Sequence, residues 1–448
     1  MRFLKGLLKV LLTIFIVLLI AAIFLLTPVN REPLTEQDYY KETIENLSTL
    51  KLEESEGTFW SAGWASENIT PEEPVELVGF RPRGEYEFVL DSSFVKSIIV
   101  SNGQQKVAFL AYPFMIIHPY LSKEILATIQ SEKLSIDHFY FTASHTHSGF
   151  GGHMKGLLSD IMYGGFDSAT VQRIAIKTVL ALKNSLAAMD TAQLLYKKSI
   201  TANLVRNRFI HDDPVDSFVR QLHFIKKSGE KAILFSYSAH ATTLSSRFMG
   251  LSGDYPHFLE MELEKKDSFQ MAMYMAGAVG SHSPIIPDKN ENTTENYAID
   301  LYKEVNKNNS HTVEIDSTLM KIAELQVQLG EPQFRVTDNY RFKPWLFDKI
   351  IGPSTPKMDI VQLGNLLFIS SAAELSGVFY EDWEKLANQN GMELMFTTFN
   401  GDYIGYVPPD KYYHKHYRET RELNWYGPYS GEYFDTLTKM AIKKAAND

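Results

Sequence analysis

The residues able to do chemistry in this 448-residue chain fall into five short polar clusters, each following an apolar run. The first is Ala143-Ser144-His145-Thr146-His147-Ser148-Gly149, after the run 139–141. In extended chain, residues two apart point the same way, so His145 and His147 would face one pocket. Neutral imidazole is the commonest metal ligand. The same pair could equally cap the glycine-rich loop 149–152. The second cluster, 236–243, holds His240, either a satisfied structural histidine or, given a partner, a ligand. Shortly after it, Asp254 in Gly253-Asp254-Tyr255-Pro256 reads as a helix N-cap or as a catalytic acid. The third, Gly277-Ala278-Val279-Gly280-Ser281-His282-Ser283-Pro284, has small residues that let backbone approach a ligand. There Ser283 is a nucleophile, an oxyanion donor or a plain loop serine. The fourth, 370–375, puts Glu374 after a buried strand, where an unpaired carboxylate is costly and wants a cation. The fifth, 401–409, carries Tyr406 in a loop rich in aromatic residues, which could also simply pack.

The elements that would position these clusters alternate along the chain. Residues 95–100 and 107–111 read as a hairpin around Asn102-Gly103, and 220–225 with 232–237 as a second around Lys227-Ser228-Gly229. Helical spacing occurs at 122–130, 169–188, 255–265, 297–306 and 378–388. Short apolar strands fall at 139–141, 271–275 and 394–399, with a strand pair across 360–369. Hairpins interleaved with helices predict an α/β fold whose sheets are mixed and flanked by helices.

Composition narrows the function classes. Hydrophobic residues make up 44% and charged residues 22%, the balance of a globular protein. A net charge of -10, with no basic stripe beyond the first residues, argues against nucleic acid as a partner. Cysteine is absent, which excludes disulfides, thiolate metal sites, a cysteine nucleophile and a lipobox-type anchor. Any metal must therefore take nitrogen and oxygen ligands.

Location is written in the first thirty residues. Arg2, Lys5 and Lys9 precede the uncharged run 10–26, which reaches spanning length if Leu7 and Leu8 contribute and Lys9 snorkels. The positive flank would stay in the cytoplasm. The run is long and ends without a small-x-small cleavage signal, favouring an uncleaved signal anchor over a cleaved signal peptide. The expected organisation is a transmembrane signal anchor at 1–29, a polar stalk or lead-in at 30–58 with a helical stretch near 38–47, and one large domain at 59–448. That domain would lie outside the cytoplasm, in a periplasm or beyond the cell.

Taken in order, the five clusters resemble the neutral, alkaline-active ceramidases. Catalytic domains of that family carry a Thr-His-Thr-His-Ser-Gly motif, a second histidine after a strand, a Ser-Pro loop, a Pro-x-Glu segment and a tyrosine-rich tail. The likeness runs from about Phe59 to the C-terminus. Arg206-Asn207-Arg208 looks like the family's Asn-Arg-Ser segment, and Tyr417-Arg418-Glu419 with Tyr426-Gly427-Pro428 looks like its later Arg-Tyr-Glu and Tyr-Gly-Pro stretch. The resemblance implies zinc held by His145, His240, Glu374 and Tyr406, with His147, Arg208 and Tyr417 lining the scissile group. Ser283 matches the serine assigned as nucleophile in the family. We rank it slightly higher as a positioning or oxyanion-supporting residue, because zinc already supplies a nucleophile.

The implied reaction is zinc-dependent hydrolysis of the amide of ceramide or a related N-acyl lipid, releasing a fatty acid and a sphingoid-type amine. Arg208, Tyr417 or His147 would stabilise the oxyanion or protonate the leaving amine. Departures from the family fall beside the proposed ligands. Leu110-Ala111-Tyr112-Pro113-Phe114 lacks the aspartate that relatives often show after that strand, and Ser281-His282 replaces an acidic or amide residue beside Ser283. The tail is one residue shorter between Tyr406 and Tyr417, and the chain stops about where the catalytic domain ends, before the β-sandwich of better-known relatives. Two other functions stay open: a zinc hydrolase of a different amide or ester, and a membrane-tethered binding protein without catalysis. Oligomeric state has no signature in the sequence.

Overall fold

Apolar strands pair here into two mixed sheets that pack face to face. The computed structural model describes residues 2–201, 203–307 and 310–447. The larger sheet runs Met271–Ala276, Lys231–Tyr237, Phe218–Lys226, Asp190–Ile200, Ser61–Asn68, Phe94–Ser101, Lys106–Tyr112 and His138–Ala143, with His311–Glu314 added beside Asp190–Ile200. The smaller runs Glu53–Glu56, Leu319–Gln326, Lys357–Leu363, Leu366–Ser371 and Glu393–Thr398. Parallel pairing joins Lys231–Tyr237 to Met271–Ala276, Lys106–Tyr112 to His138–Ala143, and Leu366–Ser371 to Glu393–Thr398.

Strands buried on both faces read as continuous apolar runs, which is why these were visible in the sequence. Trp64, Ile98, Phe109, Tyr140 and Leu222 of the larger sheet meet Val361, Phe368 and Met395 of the smaller one in a single apolar layer. Helices Pro119–Ser131, Ser168–Ala187, Asp254–Asp267 and Glu291–Val305 cover the outer face of the larger sheet. Asp38–Thr49, Tyr380–Gln389 and Ser430–Asn447 cover that of the smaller. Helix starts are fixed locally: Asp167 accepts from the N–H groups of Ala169 and Thr170, and Asn290 from that of Thr293. The layers are helix, sheet, sheet, helix, so the expectation of mixed sheets flanked by helices holds.

Strands Ser61–Asn68 and Asp190–Ile200 were not anticipated. The first is rich in small and polar residues and is held by its neighbours Phe94–Ser101 and Asp190–Ile200 rather than by propensity. Phe399, expected to end a strand, lies just past Thr398 with a left-handed φ of 65°.

The N-terminal helix Arg2–Leu25 passes directly into a strand, Leu26–Pro28, that pairs with Tyr340–Phe342. Within that helix, Phe3–Leu25 has a mean hydropathy of 3.0 and is unburied, long and apolar enough to cross a membrane. Residues 30–58, read above as a stalk or lead-in, are packed against the rest. Leu34, Thr43 and Leu47 are buried, and Glu53–Glu56 is an edge strand on Leu319–Gln326.

Candidate active site

The polar clusters leave the carboxyl ends of parallel-paired strands. His145 follows His138–Ala143, His240 follows Lys231–Tyr237, Ser283 follows Met271–Ala276, Glu374 follows Leu366–Ser371, and Tyr406 lies beyond Glu393–Thr398. Chain leaving such ends opens a crevice where side chains from both sheets can meet without disturbing the core. Glu374 and Tyr406 start two short strands, Glu374–Leu375 and Tyr406–Val407, that pair in parallel with these two residues in register.

The side chains converge closely. His145 Nε2 is 3.1 Å from His240 Nε2 and 3.4 Å from His147 Nε2. Glu374 Oε1 lies 3.2 Å from His145 Nε2 and 2.9 Å from His240 Nε2, and Tyr406 Oη is 3.2 Å from the latter. His145, His240 and Glu374 are only 1–2% exposed. Three histidines, His145, His147 and His240, thus offer ring nitrogens within 4.8 Å of one another, a group that could hold a metal ion.

Tautomers decide what those distances mean. His145 Nδ1 is 2.7 Å from the carbonyl of Met115, and His240 Nδ1 is 2.9 Å from that of Val279. A carbonyl only accepts, so both rings carry their proton on Nδ1 and turn a lone pair on Nε2 toward each other and toward Glu374 Oε1. The short contacts to Glu374 are therefore acceptor against acceptor, and Oε1 has no hydrogen-bond donor. Buried lone pairs facing one another at this range fit a cation between them, with the backbone carbonyls orienting the rings as is usual around metal-binding histidines.

Burial, followed by the charge of Arg208, pushes His240 down to about 4, so its imidazole is neutral at pH 7 and free to ligate. Burial and then the neighbouring His145 and His240 hold His147 well below the usual histidine range. For Glu374, burial acts upward, and what would hold the carboxyl well down is positive charge at the His145 and His240 positions, which neutral rings with inward lone pairs leave to a cation. Burial and Glu374 push the Tyr406 phenol well up, so it is neutral unless a cation beside it reverses that balance.

The remaining sequence candidates sit at differing remove. Arg208 joins the group: its Nη2 donates to Tyr406 Oη at 3.4 Å and to the Gly280 carbonyl at 3.0 Å, while Nη1 pairs with Glu419 at 3.1 Å. Tyr417 stacks on Phe209, and its hydroxyl donates to the Phe209 carbonyl at 3.0 Å, tying it to the neighbour of Arg208 rather than to the imidazoles. Ser283 is half-buried on the strand His282–Pro284, opposite Arg206, and the adjacent His282 carbonyl accepts from the His240 N–H at 3.3 Å. Asp254 pins the chain after His240, accepting from the N–H groups of Thr243 at 3.1 Å and Leu244 at 3.0 Å. Gly280 admits backbone rather than a ligand: a Cβ there would come within 2.4 Å of the Glu374 carbonyl.

Several contributors carried no role in the sequence reading. The Tyr403 hydroxyl donates to Glu374 Oε2 at 2.9 Å, so the carboxylate is oriented by a tyrosine from the same loop as Tyr406. Phe399 stacks on His145 at 4.3 Å, and both residues adopt left-handed φ, 65° and 59°. Such backbone costs about 1–3 kcal/mol per residue and tends to collect at functional sites. Arg83 donates to the carbonyls of both His147 and Phe248, at 2.6 and 3.0 Å, clamping the loop that carries His147. A buried carboxylate needing a donor could have pointed to Tyr403; nothing local in the sequence points to Arg83.

Comparison with known proteins agrees with the resemblance. Residues 82–293 match the family described as neutral/alkaline non-lysosomal ceramidase, N-terminal. The neutral ceramidase of Drosophila melanogaster is 23% identical over 193 residues, 39% of this chain and 27% of that protein, so the aligned part is about a quarter of the relative's length. Among solved structures, the neutral ceramidase from Pseudomonas aeruginosa superposes with a TM-score of 0.71 at 16% identity, covering 86% of this chain and 74% of that one. A ceramidase complexed with C2 gives a TM-score of 0.70 at 15% identity, over 86% and 75% of the two chains. These likenesses bear out the resemblance over residues 82–293 and the fold over most of the chain.

Proposed function

We propose that this chain, a relative of the neutral ceramidases, is a zinc-dependent amidase that hydrolyses ceramide or a related N-acyl lipid to a fatty acid and a sphingoid-type amine. The observation carrying this reading is the meeting of two Nε2 lone pairs, from His145 and His240, with an undonated Glu374 oxygen. In this reading His145, His240, Glu374 and Tyr406 hold the ion. A nitrogen and oxygen donor set without thiolate suits zinc, though a phenolic ligand is uncommon for it. When bound, zinc would generate a nucleophile near neutral pH and polarise a carbonyl.

The chain's own residues supply the rest. Arg208 is fixed by the Gly280 carbonyl and Glu419, so its guanidinium is preorganised to take the charge that develops on the carbonyl oxygen. His147, neutral and 3.4 Å from His145 Nε2, accepts a proton during attack and returns it to the leaving amine. Ser283 orients the amide or supports the oxyanion. Tyr417 braces Phe209 beside Arg208 and lines the approach to the scissile group.

The N-terminal helix supports a role as membrane anchor, with the catalytic domain outside the cytoplasm and close to its lipid supply. Elemental analysis of the purified chain, paired with hydrolysis assays on ceramide, other acyl amides and esters, tests the proposal. Stoichiometric zinc and amide cleavage that both vanish in His145→Ala are expected. Full activity in that variant, or cleavage of esters only, would overturn it.

A further inference from the structure

A membrane anchor usually hands over to its domain through a flexible segment, and here there is none. The helix ends at Leu25, whose carbonyl accepts from the Lys343 N–H at 2.9 Å. The next residues pair in antiparallel register, Leu26 with Phe342, Thr27 with Arg341 and Pro28 with Tyr340. The Arg341 guanidinium donates to the Pro28 carbonyl at 3.2 Å, and the Val29 N–H donates to Asn339 at 3.0 Å. At 1.5 Å per residue the 23 residues Phe3–Leu25 span roughly 35 Å, slightly more than a hydrocarbon core of about 30 Å. Leu25 therefore ends near the outer boundary of the bilayer, and the ladder holds residues 340–343 at that depth.

Large apolar side chains stand exposed at the same place. Tyr340, opposite Pro28, is 50% exposed, and Trp345, two residues past Lys343, is 52% exposed. The short helix Pro344–Ile350 that carries Trp345 touches a second, Leu157–Met162. On that helix Leu157 and Ile161, one turn apart and so on one face, are 47% and 61% exposed. Charges beside them in the sequence nearly cancel, Lys155, Lys343 and Lys349 against Asp160 and Asp348, so the surface is mainly apolar rather than strongly basic. Exposed aromatic and aliphatic residues at interfacial depth are what the headgroup boundary favours.

This rim also borders the site. Phe347, on the same short helix as Trp345, packs on Trp425 at 5.5 Å, Trp425 packs on Tyr403 at 5.4 Å, and the Tyr403 hydroxyl donates to Glu374 Oε2 at 2.9 Å. We infer that the rim formed by Tyr340, Trp345, Leu157 and Ile161 lies in the outer interface of the bilayer crossed by Phe3–Leu25, and that lipid substrate reaches the crevice across it. The inference rests on the anchor reading above. The partner is the lipid surface itself, engaged through apolar contact, and the engagement is insensitive to salt.

Trp345 makes this directly measurable. The other tryptophans, Trp60, Trp64, Trp383 and Trp425, are at most 7% exposed. The full chain, reconstituted in phosphatidylcholine nanodiscs with and without brominated acyl chains, should show bromolipid quenching of a component of emission that Trp345→Phe removes. A chain that fails to co-purify with nanodiscs overturns the anchor and the inference with it. A chain that inserts but shows equal emission in both lipids overturns the inference and leaves the anchor standing. Neither readout needs activity, so an error about the reaction would be seen separately. If the full chain is also an amidase, Ile161→Asp should slow hydrolysis of bilayer-embedded N-acyl lipid about tenfold, the scale of one lost apolar contact, and leave a water-soluble short-chain amide unaffected. Equal slowing on both substrates would overturn lipid entry across the rim.

Discussion

Two buried clusters in this protein join histidine to carboxylate, and only one is short of positive charge. In the first, His145, His240 and Glu374 meet with their lone pairs inward, and the Tyr403 hydroxyl donates to the other carboxylate oxygen. In the second, His138 Nε2 is 3.1 Å from Asp359 Oδ1, and Glu324 stands nearby. There the Lys357 ammonium lies 3.0 Å from Asp359 and 2.5 Å from Glu324, and the Ser370 hydroxyl donates to Asp359 at 2.5 Å. The ring nitrogens of His145, His147 and His240 beside the first, and His138, Asp359 and the exposed Glu324 in the second, have the spacing of a metal site. Charge separates them: the second cluster carries its cation covalently, and in the function proposed above the first takes one from outside. Geometry alone nominates a metal site, and the charge balance of the surrounding side chains decides between candidates.

Variants can break this contrast in graded ways. Glu374→Gln should have the largest effect, loss of bound metal and a fall in amide hydrolysis on the order of 10³-fold or more, read by elemental analysis and kcat/KM. Retained metal at full occupancy would show that the carboxylate is not what the ion requires. In the second cluster, Lys357→Met leaves Asp359 buried without its counter-charge and should cost about 3 kcal/mol in urea unfolding, with metal content unchanged. Metal lost together with stability would merge the two clusters into one system.

Tyr403→Phe sharpens the first cluster by deleting the hydroxyl on Glu374 Oε2. Outer partners of this kind are worth roughly 10–100-fold in metal affinity, so competition with a chelator should reveal a loss of that size with little change in stability. An unchanged affinity would leave the orientation of Glu374 to its strand alone.

The smallest effect is in pH. Burial pushes Asp359 up, but Lys357 and His138 outweigh it and hold the carboxyl well below its ordinary value. A carboxyl with a depressed folded-state pKa adds stability above its unfolded value of about 3.9 and loses it as pH falls through the folded value. Burial alone would raise the Asp359 pKa in Lys357→Met. The stability gap between wild type and that variant should therefore start to narrow above the ordinary carboxyl value of about 3.9 and keep narrowing as pH falls below it, and a gap constant from pH 7 to pH 3 would contradict the assignment.

Much of this arrangement was legible in the sequence because it is local. His145 and Glu374 each follow a continuous apolar strand by two or three residues, and a polar cluster after such a run marks the carboxyl end of a buried strand. The absence of cysteine likewise fixed nitrogen and oxygen as the ligand atoms. Strand Ser61–Asn68, the Arg83 clamp and the packing of residues 30–58 were not legible, since each depends on partners distant in sequence. The spacing of His145 and His147 left open whether they ligate or cap, and it holds no sign of the carbonyls of Met115 and Val279, which set the tautomers of His145 and His240.

The sequence by itself determined which residues could carry chemistry, that an apolar segment precedes them, and the family they resemble. Only the tertiary structure decided which lone pairs face one another, which buried carboxylate already has its cation, and that the apolar helix joins the domain without a spacer. The physical reason is range. Periodicity and residue type report on neighbours within a few positions, whereas the tautomers are set by carbonyls 30 and 39 residues away and the meeting of His145 and His240 with Glu374 joins groups more than a hundred residues apart.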